Sequence, residues 1–544
     1  MVEASWFFLK LDLHFSIKFV DSVDRKVFET INPSTGKVIT SVAEASDKDV
    51  DLAVEAAENA FNDVWCHVDG KERGKLLNKL ANLMERDLEE LAALETLDNG
   101  KPFHSAKSSD LPGAISCYRY FAGWCDKIHG KVIETQHDKF CYTRREPFGV
   151  CGAIIPWNYP LEMQAWKMAP ALACGNTIVF KSSELTPLTA LKVASLCKEA
   201  GFPMGVVNVL SGFGPIAGST TVGKSILKAS ADSNLKKVSL ELGGKSPSII
   251  FADSDLDQVV KWTLMGIFDN SGQCCCAGSR VYVEDSIYDK FIDKFKEYVL
   301  NIKIGDPFHH DTYQGPQISL QQFNKIMSYI EIGKKEGATL LMGGERHGDQ
   351  GYFIKPTIFT NVNEEMKIMQ EEIFGPVVSV SKFKTIEEVI EKAHLTKYGL
   401  AAAVFTNDLT RAIKISNELK AGTVWDAFDI QLVVQKLMHT ESFTINSDLQ
   451  FNIIGRSNIM RHREKLQADD SADDSVVQEI KKNGSQTNIL EIVDNYSTIL
   501  VTRLNVGVTI HSIEIVAKTQ YDSGGKIIYT ITWNGQHDFK LISN

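Results

Sequence analysis

The sequence of 544 residues predicts an α/β protein built on parallel sheets. Short β-rich runs alternate with amphipathic helical runs through the middle of the chain, a rhythm typical of βαβ units. Hydrophobic residues make up 44% of the chain and charged residues 23%, which are ordinary values for a globular protein. The length exceeds one domain of about 150 residues, so we expect several domains.

Three helices are predicted first along the chain. Ser46 can cap the first of them, whose apolar side chains recur on one face. A second amphipathic helix follows, and a third runs over Leu91–Leu97 to a stop at Asn99 and Gly100. Their ordinary interpretation is that of helices packed over a sheet.

The central region is predicted to contain strands separated by helices. The predicted strands are Val150–Ile155, Thr177–Lys181, Val206–Leu210, Ser248–Phe251 and Arg280–Glu284. The predicted helices are Leu188–Ala200, Leu256–Phe268, Ile287–Ile304 and Leu320–Glu336.

The composition changes after about Trp425. Residues 466–485 are polar and charged, which predicts a linker. Beyond the linker, apolar and polar residues alternate on both sides of Asp522–Gly525, which predicts a β-hairpin. The last ~60 residues would form a unit that is marginal in size, and their function cannot be predicted.

The overall charge and the apolar pattern exclude several classes of partner. Lys and Arg total 58 against 69 Asp and Glu, and the net charge of −11 predicts no nucleic-acid partner. No run approaches the roughly 18 apolar residues of a membrane helix, and the first residues lack the pattern of a secretory signal. We therefore expect a cytoplasmic protein with reduced cysteines, without a membrane partner or a bound metal.

Three motifs carry candidate chemistry. Cys274, Cys275 and Cys276 are consecutive and lie between a predicted helix and a predicted strand, where one thiol could be a nucleophile. Glu241 is predicted to end a strand before two glycines, and Asn158 follows another strand, where its amide could stabilise an oxyanion. Taken singly, these motifs also fit small buried thiols, a surface carboxylate and a turn.

Taken in order, these motifs resemble the aldehyde dehydrogenase superfamily. Glu241 precedes Leu-Gly-Gly-Lys-Ser-Pro, and Cys275 lies 34 residues later in Gly-Gln-Cys-Cys. Further matching segments are Asn32–Gly36, Asp98–Pro102, Val179–Glu184 and Glu371–Pro376. The resemblance covers about 19–425, and so many ordered motifs make a chance match negligible.

The resemblance implies oxidation of a small-molecule aldehyde to a carboxylic acid with NAD. Cys275 would attack the aldehyde carbon, and Asn158 with the backbone N–H of Cys275 would hold the oxyanion of the thiohemiacetal. Glu241 would be the base that activates water to hydrolyse the resulting thioester. Cys274 and Cys276 would be packing neighbours.

The resemblance also implies a cofactor site. Lys181 and Glu184 match the pair that contacts the adenosine ribose, and the Glu184 carboxylate favours NAD over NADP. The remaining cofactor contacts would come from Trp157, Gly218 and Ser219 at the pyrophosphate, and from Gln322, Glu372 and Phe374 at the nicotinamide and its ribose.

The implied fold has a Rossmann-like cofactor domain with a parallel sheet, an α/β catalytic domain and a protruding β element for oligomerisation. The expected organisation is an atypical segment 1–18, an NAD-binding domain over 19–130 and 149–241, an oligomerisation hairpin over 131–148, a catalytic domain over 242–425, a divergent segment with a linker over 426–485, and a β-rich tail over 486–544.

The chain departs from the family at two places. Only Ile216 and Ala217 separate two segments that the family joins by a further helix and strand, so we expect unpaired strand edges and a hole beside the pyrophosphate site. After Trp425 the tail is unrelated to the family's substrate-tunnel segment and subunit-crossing strand, so we expect a homo-oligomer that is weakened. An aberrant splice product or gene model would explain these departures together.

Two alternatives therefore stay open. The chain could be a catalytically impaired relative that keeps the site residues, or its tail could be an interaction module that recruits the enzyme.

Overall fold

A computed structural model describes residues 13–15, 18–213, 220–427, 518–521, 527–533 and 537–542. The chain divides into two compact units, the first formed by Met1–Ala252 and Leu256–Ala401, the second by Asp253–Asp255 and Ala402–Asn544. The predicted linker at 466–485, and Gly218 and Ser219, lie outside the described residues.

The first unit contains fourteen strands among its described residues. They are β1 (Leu13–Phe15), β2 (Lys18–Val20), β3 (Val27–Asn32), β4 (Lys37–Ala43), β5 (Val132–Ile133), β6 (Cys141–Tyr142), β7 (Val150–Ile154), β8 (Thr177–Lys181), β9 (Val207–Leu210), β10 (Pro247–Ile250), β11 (Arg280–Glu284), β12 (Thr339–Met342), β13 (Thr357–Thr360) and β14 (Val377–Phe383).

Helices separate most of these strands. They are α1 (Asp47–Asp63), α2 (Gly70–Arg86), α3 (Leu88–Asn99), α4 (Phe103–Ser105), α5 (Leu111–Ala122), α6 (Pro160–Ala173), α7 (Leu188–Ala200), α8 (Thr220–Asp232), α9 (Leu256–Phe268), α10 (Tyr288–Leu300), α11 (Leu320–Lys335), α12 (Lys367–Gln370) and α13 (Ile386–His394). No helix in the described ranges has the length and apolar character needed to cross a bilayer.

Two sheets organise the first unit. The first has the order β2-β1-β9-β8-β7, in which β7, β8 and β9 are parallel. The second runs β12-β13-β14-β11-β10 within this unit, and β13, β14, β11 and β10 are parallel. The predicted α/β fold with parallel sheets is confirmed.

The first sheet is buried between helices. Phe180 of β8 and Val209 of β9 have no exposed surface, and neither do Leu191 of α7 and Met168 of α6, which belong to the same apolar cluster. Such near-continuous apolar runs are typical of parallel strands that are covered on both faces. The carboxyl ends of β7 and β8 are therefore held at one edge, where α/β proteins bind ligands.

Several predicted elements agree closely with the structure. Helix α1 begins directly after Ser46, whose backbone N–H donates to the Asp49 carboxylate at 2.8 Å. Helix α3 ends at Asn99, and Gly100 adopts the left-handed conformation with φ 87° that the predicted stop requires. Helix α7 matches its predicted bounds.

The expected open edge beside β9 is not present. Strand β1 pairs with β9 in antiparallel register, His14 opposite Val209, and β2 pairs in turn with β1. The prediction of unpaired strand edges was wrong at β9. The segment 1–18, which we described as atypical, contains β1, and β1 pairs antiparallel with β9.

The prediction that Glu241 ends a strand was also wrong. Residues 235–246 have no regular secondary structure and run directly into β10. No described strand pairs with residues 235–246, so the run before Glu241 has no ladder hydrogen bonds that would make it a strand.

The second unit contains a short α/β segment and a separate three-stranded sheet. Its elements are β15 (Ala401–Phe405), α14 (Leu409–Glu418), β16 (Thr423–Ala427), β17 (Lys518–Tyr521), β18 (Ile527–Trp533) and β19 (His537–Ile542). Strands β17 and β18 pair antiparallel, as the predicted hairpin requires, and the predicted Asp522–Gly525 turn lies outside the described residues. Strand β19 extends the sheet beside β18 and was not predicted.

Candidate active site

Asn158 lies in the irregular segment that leads from β7 into α6. Its side chain is buried, and Nδ2 donates to the carbonyl oxygen of Gln273 at 3.1 Å. The Asn270 amide donates to the Asn158 carbonyl oxygen at 2.8 Å. These bonds fasten the Asn158 segment to the loop that carries the three cysteines, and they leave the second Nδ2 hydrogen of Asn158 to bind a ligand.

The cysteine loop begins with a left-handed turn. After α9, Asn270 and Ser271 have φ values of 47° and 57°, and Gly272 has φ 74°. A Cβ on Gly272 would lie 2.1 Å from the carbonyl oxygen of Gly375, so only glycine allows this approach. The next residue, Gln273, is buried and accepts a hydrogen bond from the Ile318 N–H at 2.9 Å. The loop therefore enters the site with a fixed direction.

The three thiols are half-buried and interact with one another. The sulfur atoms of Cys274 and Cys276 are 3.3 Å apart. Hydrogen bonds from Cys275 and Cys276 lower the pKa of Cys274, and the bond to Cys274 raises the pKa of Cys275 to about 12. Because the three thiols interact and titrate together, thiol acidity does not single out Cys275 as the nucleophile.

Glu241 pairs with a lysine of α6. The Lys167 ammonium lies 2.9 Å from Glu241 Oε1, and the side chains are 23% and 36% exposed, so both remain in contact with solvent. The Glu241 carboxylate is a minor cause of the raised pKa of Cys275. A carboxylate in contact with solvent can receive a proton from water.

A glycine contact joins the Glu241 segment to the cysteine loop. A Cβ on Gly244 would lie 2.2 Å from the carbonyl oxygen of Cys275. The two backbones can approach this closely because glycine has no side chain. Glu241 and Cys275 are therefore held in a fixed relation even though no regular strand carries Glu241.

Lys181 and Glu184 lie at the carboxyl end of β8. Lys181 Nζ is 4.0 Å from Glu184 Oε2 and donates to the Ser182 carbonyl at 3.0 Å. Burial lowers the pKa of Lys181. A lysine and a carboxylate at this edge fit the hydroxyl groups of a ribose, since one can donate and the other accept.

The predicted nicotinamide group is also assembled. Glu372 accepts a hydrogen bond from the Gly244 N–H at 2.9 Å, and burial raises the pKa of Glu372. Gln322 Nε2 donates to the Phe374 carbonyl at 2.8 Å, and the Phe374 ring packs edge-on against Trp157 with centroids 5.2 Å apart. Cys274, Glu372 and Phe374 line one common cavity.

Lys167 is a site residue that the sequence analysis missed. It is the only basic residue of α6, PLEMQAWKMAPALA, and a charge on so apolar a helix was the available signal. Its partner Glu241 lies 74 residues away, so no local pattern could pair the two residues.

Comparisons with known proteins identify the family of this chain. The sequence model of the aldehyde dehydrogenase family matches residues 19–428. An aldehyde dehydrogenase of Alternaria alternata is 57% identical over 424 residues, which are 75% of this chain and 85% of that protein. The mitochondrial aldehyde dehydrogenase of Homo sapiens is 54% identical over 429 residues, 75% of this chain and 83% of that protein.

Solved structures give the same result. The NAD+ complex of an aldehyde dehydrogenase from Bacillus cereus superposes with a TM-score of 0.76 at 47% identity, covering 77% of this chain and 89% of that one. The sequence match, the structural match and the arrangement of the site residues lead to one conclusion: the chain belongs to the aldehyde dehydrogenase family.

Proposed function

We propose that this protein oxidises an aldehyde to a carboxylic acid with NAD, through a thiohemiacetal and a thioester on Cys275. The observation that carries the proposal is the convergence of three segments: the cysteine loop, the Asn158 amide bonded to that loop, and the Glu241 segment, whose Gly244 packs against the Cys275 carbonyl oxygen. In the overall reaction an aldehyde, NAD+ and water give a carboxylic acid, NADH and a proton.

The first step requires a thiolate at Cys275. The Cys275 thiol loses its proton to solvent to form this thiolate, since the thiol is only half-buried. The Cys275 sulfur then forms a bond to the aldehyde carbon, and the carbonyl electron pair moves to the oxygen.

The oxyanion that forms is held by preorganised donors. We assign two donors to this role, the free Nδ2 hydrogen of Asn158 and the backbone N–H of Cys275. Hydrogen bonds described above join the Asn158 segment to the cysteine loop, so the two residues are held together. Each such donor contributes on the order of 3 kcal/mol to the transition state.

The cofactor site fits NAD. Gly243 lies so close to the Glu372 carboxylate that a Cβ on Gly243 would be 2.1 Å from Oε2, so the site is narrow at this point. Lys181 and Glu184 together fit an adenosine ribose. The chemistry that bound NAD supplies is acceptance of a hydride from the thiohemiacetal, which leaves a thioester on Cys275. Glu241 then takes a proton from the water that hydrolyses the thioester, and Lys167 holds the carboxylate during this step.

Single-turnover kinetics with NAD and a simple aliphatic aldehyde test this proposal. We expect a burst of NADH that Cys275→Ala abolishes. The matched variant Cys274→Ala should retain a burst. If Cys274→Ala abolishes the burst and Cys275→Ala retains it, the nucleophile is Cys274 and the assignment is wrong.

The same experiment decides the catalytically impaired alternative. Wild-type protein that binds NAD but gives no burst with any simple aldehyde would support an impaired protein. No contact among the described residues favours that alternative, and the contacts of Asn158 with the cysteine loop and of Gln322 with Phe374 support the active protein. The cytoplasmic location and the weakened oligomer stay predictions.

A further inference from the structure

A turn at the end of α3 lies directly behind the segment that carries Asn158. Its residues are Asn99, Gly100 and Lys101, which we call the 99–101 turn. Asn99 Nδ2 donates to the Trp157 carbonyl oxygen at 2.7 Å. Lys101 Nζ lies 3.8 Å from the centroid of the Tyr159 ring. The turn thus holds the residue on each side of Asn158.

The turn itself has little freedom to move. Lys101 forms an ion pair with Asp110, and the two side chains are only 2% and 5% exposed. A Cβ on Gly100 would lie 2.7 Å from Pro316 and 2.8 Å from Pro33. Contacts this close on both sides of a left-handed residue fix the turn relative to its surroundings.

The turn also reaches the cysteine loop through Tyr159. Tyr159 follows Asn158, whose Nδ2 donates to the Gln273 carbonyl of that loop at 3.1 Å, and Lys101 covers the face of the Tyr159 ring. A buried ammonium over an aromatic ring is an attractive interaction that depends on direction. Movement of Lys101 would therefore be transmitted to the ring of Tyr159 and to the backbone of Asn158.

We propose that the 99–101 turn positions the Asn158 amide as an oxyanion donor, with Asn99 and Lys101 as positioning residues. The inference deepens the function proposed above and rests on it. Residues 155–159 have no regular secondary structure, so Asn158 is held by single hydrogen bonds to the cysteine loop and by the contacts of its two neighbours with the turn, not by a helix or a sheet ladder. A donor stabilises an oxyanion only if it is already in place, and a misplacement of 1 Å can cost about a hundredfold in rate.

Two thiol reagents applied to the purified full-length protein separate positioning from general damage. Acylation by p-nitrophenyl acetate passes through an oxyanion: the thiolate adds to the ester carbonyl and p-nitrophenolate leaves. Alkylation by iodoacetamide forms no oxyanion, since the thiolate displaces iodide at a saturated carbon. Both rates are measured at Cys275 by peptide mass spectrometry, without NAD.

Lys101→Met should lower the acylation rate at least tenfold and change the alkylation rate by less than twofold. Asn99→Ala should also lower the ratio of the acylation rate to the alkylation rate. Lys101→Arg should keep most of the wild-type acylation rate. Lys107→Met is the matched control, because Lys107 also pairs with a carboxylate, Glu89, and lies 5.9 Å from a ring centroid, but is exposed. Both of its rates should stay unchanged.

Loss of Lys101 leaves Asp110 buried without its ion-pair partner, so the double variant Lys101→Met with Asp110→Asn removes both charges. If both reactions slow together in this variant, or neither slows, the turn does not position Asn158 and the inference is overturned. If the wild-type protein is acylated at Cys274 rather than Cys275, the nucleophile assignment fails. The rate ratio is then measured at Cys274 and still tests the turn.

Discussion

Replacement of Gly244 by alanine should abolish most of the chemistry while the chain still folds. The added Cβ would lie 2.2 Å from the carbonyl oxygen of Cys275, where 3.0 Å is the least separation that real Cβ atoms show. The neighbour is backbone, which cannot rotate aside, so the Cys275 peptide must shift. The shift is between 0.8 Å (3.0 − 2.2) and 1.2 Å (3.4 − 2.2), the second value giving ordinary contact.

The magnitude follows from this displacement. The N–H of Cys275 is one of the two proposed oxyanion donors, and a shift of about 1 Å costs roughly a hundredfold in rate. That factor corresponds to about 2.7 kcal/mol in the activation free energy. The overpacking should also cost about 1–3 kcal/mol in the free energy of unfolding.

The assay is the NADH burst under single-turnover conditions, together with a calorimetric Tm. Gly266→Ala is the matched control, since Gly266 lies in α9 before the same loop and a Cβ there meets nothing within 4 Å. This variant should keep the burst and raise stability by about 0.5–1 kcal/mol, as alanine favours a helix. A Gly244→Ala protein with an undiminished burst would refute the claim that this contact fixes Cys275.

Two other variants test neighbouring parts of the site. In Gly243→Ala the new Cβ would meet the Glu372 carboxylate at 2.1 Å. Because that carboxylate ends a flexible side chain, we expect normal folding and roughly tenfold weaker NAD binding, measured by calorimetry. An unchanged affinity for NAD would remove Glu372 from the cofactor site. Burial raises the pKa of Glu95 to about 8 from an ordinary 4.5, so its contribution to stability is full below pH 4.5 and is lost as the pH rises through 8. Glu95→Gln should therefore raise the Tm by a few degrees at pH 8.5 and little at pH 4, and an equal effect at both pH values would contradict the titration.

Local signals predicted much of the fold correctly. Strand β8 and helix α7 matched their predicted bounds, because a buried apolar run and a left-handed glycine, Gly201 at φ 95°, mark their limits. Helix α10 was predicted to reach Ile304 but ends at Leu300, since apolar residues continue beyond the helix into an extended segment. The predictions of an unpaired strand edge and of a strand before Glu241 were wrong because strand pairing depends on residues far apart in the sequence. No local pattern could show that β1 pairs with the edge of β9.

In the candidate site too, local motifs were predictable from the sequence and contacts between distant residues were not. Motifs and resemblance predicted the candidate catalytic residues Cys275, Glu241 and Asn158, and their roles stay predictions. The groups that hold these residues were not predictable, because Lys167 and Lys101 are single lysines in or after helices, and their partners are brought close only by the fold. A charge in an apolar helix indicates that a partner exists but not which residue it is.

The pairing of β1 with β9 has a consequence for synthesis of the chain. His14 and Val209 are 195 residues apart (209 − 14), and at about 5–20 residues per second the first strand leaves the ribosome roughly 10–40 s before its partner. During that interval β2 covers only one edge of β1, and the other edge is open to any extended chain nearby. The time for which a nascent chain is vulnerable to aggregation is therefore set by the rate of translation from β1 to β9. Slow codons in this stretch, or a chaperone bound to the nascent chain, would change the yield of folded protein without altering a single residue.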